Sequence, residues 1–507
     1  MAWLGAGCSD GKTAKRRDLF GVCEPGRSQS LHSTAAVPPE RAGRERTGEH
    51  KPVQGKGGRK GDARLNATKQ QNAGSADEAT QGGEAAPDFS WAEASVWTKR
   101  MLSALVNGVK GGKWYALVDK VFALATLKAA WTKVEANKGA AGVDGQSIER
   151  FAAKSDEYLA ELSTALREGS YRPQAVKRVE IPKGEGKTRP LGIPTVKDRI
   201  VQQAVRLVIE PIFEAGFREG SYGFRPGRGC HDALGKVDDL IGEGYAFVVD
   251  ADLKSYFDSI PHDRLMARVE AKVSDGRVLD LIRSWLKADI LKGQETWTPT
   301  QGSPQGAVIS PLLANIYLDP LDAFIAERGY RMARYADDFV ILCRTREEAE
   351  AALDDVLAWV TMNGLALHPQ KTHVGDCRQP GQGFEFLGYR FEAGERHVRK
   401  KSLDKLKNSI RAKTKRTRGE SLKCIVADLN RTLHGWFAYF QYAHPFTFER
   451  LDGFTRRRLR ALLRRQEKRP SSMGKSRADH VRWPNAFFAK AGLFALNAAR
   501  LPARPSR

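Results

Sequence analysis

Two short acidic segments, 85 residues apart, contain the side chains best suited to chemistry. The first segment ends an apolar run with Asp250 and Asp252, which share a face because alternate strand residues point the same way. Asp252 lies nearer the strand end and is the preferred metal ligand, with Asp250 as the alternative. In the second segment, Asp337 shares a face with Tyr335, and Asp338 lies at or just past a turn. Carboxylates at strand ends suit two Mg²⁺ ions, which prefer oxygen ligands and stabilise both oxygens of a phosphoryl transfer.

The acidic segments need a framework of strands and helices to meet. Residues 247–253 are typical of a buried strand, and residues 331–343 predict a hairpin that turns at or near the acidic pair. A second hairpin is predicted over residues 179–194, followed by a helix over 198–213 whose apolar positions repeat with helical spacing. Residues 97–106 also have helical apolar spacing, and residues 121–131 continue it. This mixture predicts an α+β layer.

The composition indicates a polyanionic partner. The 507 residues carry 83 Lys and Arg against 60 Asp and Glu, for a net charge of +23, and so basic a balance favours nucleic acid. Six cysteines form no C-x-x-C pair, which disfavours a cysteine zinc site or a disulfide framework and fits a reducing compartment. No run of about 18 apolar residues and no secretory leader is found, so we expect a cytoplasmic protein away from membranes. Residues 1–90 are predicted to be a disordered basic extension.

Six sequence blocks, in order, resemble those of one polymerase family. Tyr335-Ala-Asp-Asp338 is similar to the Y-x-D-D box of reverse transcriptases. The other blocks are Lys187-Thr-Arg-Pro-Leu-Gly-Ile-Pro194, Ser221-Tyr-Gly-Phe-Arg-Pro-Gly-Arg228, Gly302-Ser-Pro-Gln-Gly306, Gly364-Leu-Ala-Leu-His-Pro-Gln-Lys371 and Phe386-Leu-Gly-Tyr389. Residues 430–440 resemble the maturase domain X, so the family is that of group II intron-encoded reverse transcriptases and maturases, over about residues 95–500. No C-x-x-C pairs follow, and the resemblance is therefore to bacterial, class C-like members without an endonuclease domain.

The resemblance implies roles for residues around the acids. Asp252, Asp337 and Asp338 would hold two Mg²⁺ ions, and Phe257 would exclude a ribose 2′-hydroxyl and so select deoxynucleotides. Cations near the incoming triphosphate would neutralise charge that builds up in the transition state. The other implied nucleotide-binding residues are Lys183, Arg189, Arg199, Gln305 and Lys371, with Tyr335 at the primer end and Val143 at the template. Ordinary core packing stays open for Phe257, as does a solvated surface charge for Lys371.

The chain becomes helical and strongly basic from Lys400 onwards. Residues 400–469 hold 20 Lys and Arg against 6 Asp and Glu. Arginine supplies phosphate contacts and stacks on bases, so this region is expected to bind RNA. The candidate RNA-binding residues are Arg456, Arg457, Arg458, Arg460, Arg464 and Arg465. In the same region, Trp436 and Tyr439 are interpreted as core rather than as base-stacking platforms.

The resemblance implies a right-hand polymerase, with α+β fingers and palm followed by an α-helical thumb. The predicted division is the extension at 1–90, fingers and palm at 91–395, domain X at 396–470 and a C-terminal tail at 471–507. The implied activity is copying RNA into DNA, together with binding the intron RNA to assist splicing. Expected partners are that RNA, an RNA template and DNA primer, dNTPs and target DNA. The alternatives are a splicing factor without polymerase activity, a retron, diversity-generating or CRISPR-linked relative, and an RNA-dependent RNA polymerase.

Overall fold

Eleven strands and seventeen helices follow one another in the part of the chain that the computed structural model describes. That part comprises residues 89–109, 111–184, 186–469, 474 and 476–500, without the side chains of residues 183 and 187. The predicted disorder of residues 1–90 lies outside it, apart from the last two residues. The strands are β1 Val176–Gly184, β2 Lys187–Ile193, β3 Phe247–Asp252, β4 Ile290–Lys292, β5 Glu295–Trp297, β6 Arg331–Tyr335, β7 Asp338–Cys343, β8 His373–Asp376, β9 Phe384–Phe386, β10 Tyr389–Glu392 and β11 Glu395–Val398. The helices are α1 Lys99–Asn107, α2 Val118–Phe122, α3 Leu124–Ala136, α4 Ile148–Ala152, α5 Ser155–Glu168, α6 Val196–Glu214, α7 Cys230–Gly242, α8 Tyr256–Ser259, α9 His262–Glu270, α10 Gly276–Leu286, α11 Ser310–Glu327, α12 Arg346–Met362, α13 Lys400–Lys413, α14 Leu422–Phe440, α15 Pro445–Gln466, α16 Arg477–Arg482 and α17 Asn485–Lys490.

The central palm sheet has the strand order β6-β7-β3-β8, and every neighbouring pair is antiparallel. Its strands are apolar on both faces, because each face is covered by its own core. Val249 and Ile341 face the larger core, which also contains the fingers helices. Val248 and Leu342 face a second core made with the thumb. Alternation along β3 therefore places Asp250 and Asp252 on the thumb side of the sheet.

The fingers contain a second sheet of order β2-β1-β4-β5, in which β1 and β2 form the predicted hairpin. Helix α6 begins after Thr195, whose hydroxyl accepts a hydrogen bond from the amide of Asp198. It is buried on nearly every side, as its dense apolar spacing predicts. The prediction of an unbroken helix over residues 121–131 is wrong. The backbone is extended at Ala123, with ψ 129°, and this residue separates α2 from α3.

The thumb packs three helices, α13 to α15, against a small antiparallel sheet of order β11-β10-β9. Helix α13 begins at Lys400, where the helical pattern was predicted to begin. Trp436 and Tyr439 pack against the thumb core, as interpreted from the sequence. The α+β prediction is confirmed. None of the helices in the described residues is both long and apolar enough to cross a membrane.

Candidate active site

Strand register brings the two acidic segments together at one end of the palm sheet. Asp252 on β3 is the Cα partner of Asp338 on β7, and Asp250 is the partner of Val340. Paired residues in antiparallel strands have Cα atoms roughly 4.5–5.5 Å apart. Asp337 lies in the two-residue turn between β6 and β7, beside this pair. The structure thus places the three predicted catalytic acids together, with Asp250 one step deeper on the same face.

The turn that carries Asp337 has an unusual backbone. Ala336 has φ 60°, a left-handed conformation that residues other than glycine rarely adopt. A neighbouring segment packs closely on it: a Cβ added to Gly223 would lie 2.3 Å from the amide nitrogen of Ala336. The amide of Tyr222 donates to the carbonyl of Arg334 at 2.8 Å, which fixes that segment along the hairpin. Only glycine at position 223 permits this approach.

Arg334, one residue before the Tyr-Ala-Asp-Asp box, is a residue that sequence reasoning missed. Its side chain is fully buried and forms an ion pair with the equally buried Asp322, with Nε 2.7 Å from Oδ1. The guanidinium also donates to Oδ1 of Asn315 at 3.1 Å and to Oγ of Ser221 at 2.8 Å. A further hydrogen bond, 3.0 Å long, reaches the carbonyl of Ala336 in the turn. Arg334 therefore connects the acidic turn to α11.

The acids repel one another and are largely shielded from solvent. Burial raises the pKa of Asp338 to about 7, and the charges of Asp250, Asp337 and Asp252 act in the same direction. Burial also raises the pKa of Asp250 to about 6, against the opposing effect of His373. The pKa of Asp337 is raised by burial as well. Burial and mutual repulsion therefore both disfavour the charged forms of these acids when no cation is bound.

This donor set fits a divalent cation such as Mg²⁺. The four carboxylates supply only oxygen, the ligand type that Mg²⁺ prefers. The ammonium of Lys371 lies 2.6 Å from Oδ2 of Asp252 and supplies positive charge to one of them. The ligand atoms of these carboxylates are farther apart than those of a closed metal site. Among the described residues, one group of three His, Cys, Asp or Glu side chains has all its ligand atoms within 4.8 Å of one another, and that group is in the thumb.

The fingers bring one of the predicted cations towards these acids. Nε of Arg189 on β2 donates to Oε1 of Gln305 at 2.9 Å, and the amide of Gln305 lies 3.5 Å from Oδ2 of Asp258. The charge of Arg189 opposes the rise in the pKa of Asp337, which places the guanidinium within electrostatic reach of the turn. Lys371 therefore contacts one of the acids directly, whereas Arg189 and Gln305 are joined to each other and to Asp258. Lys183 is on β1, and its side chain lies outside the described residues.

Arg199 is placed differently from the prediction. Its side chain is buried, and it donates to the carbonyls of Ala140 and Thr195. A Cβ on Gly139 would lie 2.2 Å from its Nη1 atom. The guanidinium thus fastens the glycine-rich turn, which includes the half-buried Val143, to α6. The guanidinium is thus engaged in the interior in this structure, and its predicted contact with a triphosphate stays a prediction.

Phe257 lies in the larger core, with 9% of its surface exposed. Its ring meets that of Tyr256 edge-on at 5.5 Å between centroids. Its carbonyl accepts a hydrogen bond of 2.7 Å from the amide of Ser303, two residues before Gln305. Core packing therefore describes the ring in this structure, while its backbone joins α8 to the loop that carries Gln305. The role of Phe257 in sugar selection stays a prediction.

Arg460 and Arg464, two of the candidate RNA-binding arginines, contact the C-terminal segment. Arg460 is 2% exposed and donates to the carbonyl of Trp483 at 2.9 Å and to Oδ1 of Asn485 at 3.0 Å. This side chain holds the C-terminal segment from inside the thumb, and its predicted contact with RNA stays a prediction. Arg464 forms an ion pair of 2.6 Å with the buried Asp479. Neither guanidinium is displayed for a partner molecule.

The other thumb arginines are more accessible. Arg458 is half-buried and donates to Oγ1 of Thr414 at 3.0 Å. Arg456 and Arg457 are half-exposed on α15, and Arg465 is exposed at its end. These positions are compatible with contacts to a polyanion. The RNA-binding role of all six arginines, which lie on α15, stays a prediction.

A palm sheet with three strand-end acids, covered by fingers on one side and a thumb on the other, defines a nucleic-acid polymerase of the right-hand class. The model of the family "Reverse transcriptase (RNA-dependent DNA polymerase)" matches residues 181–391. The model "Group II intron, maturase-specific domain" matches residues 403–482. The chain therefore belongs to the family of group II intron-encoded reverse transcriptases and maturases, which are RNA-directed DNA polymerases joined to a maturase domain.

Individual relatives agree with this assignment. Protein YkfC of Escherichia coli (strain K12) is 35% identical over 297 residues, covering 49% of this chain and 75% of YkfC. The group II intron-encoded protein LtrA of Lactococcus lactis subsp. cremoris is 39% identical over 208 residues, covering 40% of this chain. The aligned part spans only 34% of the length of LtrA.

Solved structures give weaker likenesses. A partial Cas6-RT-Cas1–Cas2 complex is 25% identical, with a TM-score of 0.32 over 48% of this chain and 42% of that one. Telomerase from Candida albicans is 11% identical, with a TM-score of 0.36 over 63% and 64% of the two chains. Scores this low do not define a shared arrangement of domains.

Proposed function

We propose that this chain copies an RNA template into DNA by extending a DNA primer with dNTPs, using two Mg²⁺ ions bound by Asp252, Asp337 and Asp338. The observation that carries the proposal is the register of β3 against β7, which pairs Asp252 with Asp338 beside the turn that contains Asp337. When bound, the ions would stabilise charge on the attacking and leaving oxygens of the phosphoryl transfer.

The surrounding residues would position the nucleotide. Arg189 and Gln305 are hydrogen-bonded to each other, so an incoming triphosphate and its base would meet one connected unit from the fingers and the palm. Lys371, half of whose side chain is exposed, would exchange its contact with Asp252 for one with the phosphates. Tyr335 lies at the end of β6, where it would support the primer end. Each of these groups orients a reactant, and orientation accounts for much of the rate enhancement in such reactions.

We further propose that the thumb binds the group II intron RNA and assists its splicing, and that the cDNA activity serves insertion into target DNA. The support is the maturase-specific match and the local excess of cations around α15. Because relatives such as LtrA come from bacteria, we place this activity in the bacterial cytoplasm, in association with nucleic acid. Of the predicted α15 arginines, Arg465 is exposed and Arg456 and Arg457 are half-exposed, which leaves them accessible for this contact.

The test is primer extension on an RNA template with dNTPs and Mg²⁺. Wild type is compared with the double variant Asp337→Asn/Asp338→Asn, and with Asp354→Asn, which changes an exposed acid on α12. Extension by wild type and Asp354→Asn, but not by the double variant, is the expected result. RNA affinity is measured on the same samples.

The comparison separates the alternatives. A folded wild type that binds intron RNA without extending the primer would refute the polymerase proposal and favour a splicing factor. Extension that persists in the double variant would refute the assigned metal site. Incorporation of ribonucleotides in preference to deoxynucleotides would indicate an RNA polymerase.

A further inference from the structure

Two imidazoles and a carboxylate meet in the thumb, away from the palm acids. Oε2 of Glu395 lies 3.1 Å from Nε2 of His397, and Oε1 of the same carboxylate lies 3.4 Å from Nε2 of His444. The ligand atoms of all three side chains lie within 4.8 Å of one another. No function assigned to the palm acids or to the basic surface uses this trio.

The backbone fixes the three positions independently. Glu395 and His397 are two residues apart on β11 and therefore share a face. Strand β11 is held in register against β10 across a tight turn that contains Ala393 and Gly394, both with positive φ. His444 immediately precedes α15, and its amide donates to the carbonyl of Arg396 at 2.8 Å. The hairpin and the thumb helix are thus already joined where the side chains converge.

The donor set selects a class of ion. Two imidazole nitrogens and one carboxylate oxygen suit Zn²⁺ and other late first-row divalent cations, whereas Mg²⁺ prefers oxygen alone. Zinc ligands at about 2.0–2.2 Å in a tetrahedron lie roughly 3.3–3.5 Å apart. The two nitrogen-to-oxygen distances, 3.1 and 3.4 Å, are close to that spacing. The side chains are 35–47% exposed, which leaves an entry path and room for water as a further ligand.

One local charge opposes a cation here and limits the affinity. His444 caps the N-terminus of α15, where the helix dipole is positive. Arg396 lies between Glu395 and His397 in sequence, but its side chain points to the other face and pairs with Asp238. We therefore expect binding in the micromolar range rather than that of a closed structural zinc site.

We propose that Glu395, His397 and His444 bind one divalent cation of the zinc class and so link the β10–β11 hairpin to the start of α15. The ion would be distinct from the Mg²⁺ ions of the palm in both ligands and place. Because its ligands come from two elements of the thumb region, binding would restrict motion of α15 relative to the hairpin.

The experiment uses the full chain, stripped of metal with a chelator and kept in millimolar Mg²⁺ so that the palm acids are occupied. Zn²⁺ is titrated in competition with a chromogenic chelator, and Co²⁺ is added separately to record its visible spectrum. The variants are His397→Gln, His444→Gln and Glu395→Gln. The matched control is His480→Gln, an exposed histidine on α16. Hydrogen exchange at the first turn of α15 is recorded with and without Zn²⁺.

The expected result is one equivalent of Zn²⁺ bound by wild type and His480→Gln, with at least a tenfold loss of affinity in each of the three variants. Slower exchange at the first turn of α15 should accompany binding. Primer extension should stay at the wild-type level in every variant, which shows that the chain is folded. Equal Zn²⁺ affinity in wild type and the His397→Gln/His444→Gln double variant would overturn the proposal. So would a Co²⁺ spectrum with thiolate charge transfer, which would assign the ion to cysteine, or the absence of binding by wild type.

Discussion

Replacing Arg334 by leucine should be among the most damaging single changes near the acids. The side chain is 1% exposed, and its partner Asp322 is fully buried. The guanidinium also donates to Asn315, Ser221 and the carbonyl of Ala336. Leucine removes all these hydrogen bonds and leaves the carboxylate of Asp322 in the core without a counter-charge.

The magnitude follows from the burial. Removing one partner of a buried ion pair costs about 3–5 kcal/mol, against a typical free energy of unfolding of about 5–15 kcal/mol. Burial already raises the pKa of Asp322, with Arg334 opposing the rise. Without Arg334 the carboxyl should take up a proton, which removes its buried charge. The loss in free energy of unfolding should therefore be near the lower value, about 3 kcal/mol, at low pH. When a carboxyl is protonated in the folded state but ionised in the unfolded state, the free energy of unfolding of the protein falls by roughly 1.4 kcal/mol for each unit of rising pH.

The assay is urea unfolding followed by tryptophan fluorescence at pH 6 and pH 8. The proteins are wild type, Arg334→Leu, Asp322→Asn, their double variant, and Arg331→Leu, an exposed arginine on the same strand. Arg334→Leu should be less stable at pH 8 than at pH 6, and Asp322→Asn should restore part of the loss and remove its pH dependence. Primer extension should fall as well, because the turn loses a hydrogen bond to Ala336. Arg334→Leu within about 0.5 kcal/mol of wild type, or a double variant no more stable than the single one, would refute the reasoning.

Three further perturbations test the site and the thumb. Burial raises the pKa of Asp338 to about 7, so the metal-free protein should lose thermal stability as the pH rises through 7, and Mg²⁺ should raise the melting temperature more at pH 8 than at pH 5.5. Gly223→Ala should abolish primer extension, because its Cβ would overlap the acidic turn, whereas Gly235→Ala on α7, where a Cβ meets open space, should leave activity unchanged. Arg465→Gln should weaken RNA binding and lower the salt slope by about 0.7–0.9, while Arg460→Gln should lower the melting temperature instead, since its partners are interior.

The positions of the acids at strand ends could be predicted from the sequence, because the patterns that indicate them are local. The apolar run before Asp252 and the hairpin around Asp337 each specify a strand end within a few residues. Their meeting required only that the two strands be neighbours, and the ordered motifs implied this. The thumb boundary at Lys400 was equally local, since both the helical spacing and the charge change there.

The buried arginines could not be identified in the same way. Arg334, Arg199 and Arg460 stand in a strongly basic chain, where an arginine is expected at the surface or on nucleic acid. Their partners are distant in sequence: Ser221 is 113 residues from Arg334, and Ala140 is 59 residues from Arg199. A local pattern cannot show that a guanidinium will be used inside the protein. The thumb trio was missed for a similar reason, because it needs β11 and α15 to meet.

The placement of the acids explains why the site needs so much support. They continue the face of the palm sheet that Val248 and Leu342 fill with thumb core, so burial is imposed on them by the packing around them. Burial and mutual repulsion both disfavour their charged forms, which is the reason for the raised pKa of Asp338. A free hairpin would separate such charges. The network around Arg334 and the close approach of Gly223 keep the turn in place, so the fold maintains negative charge that a bound cation would relieve. Changes in the thumb core should therefore alter metal affinity in the palm without touching an acid.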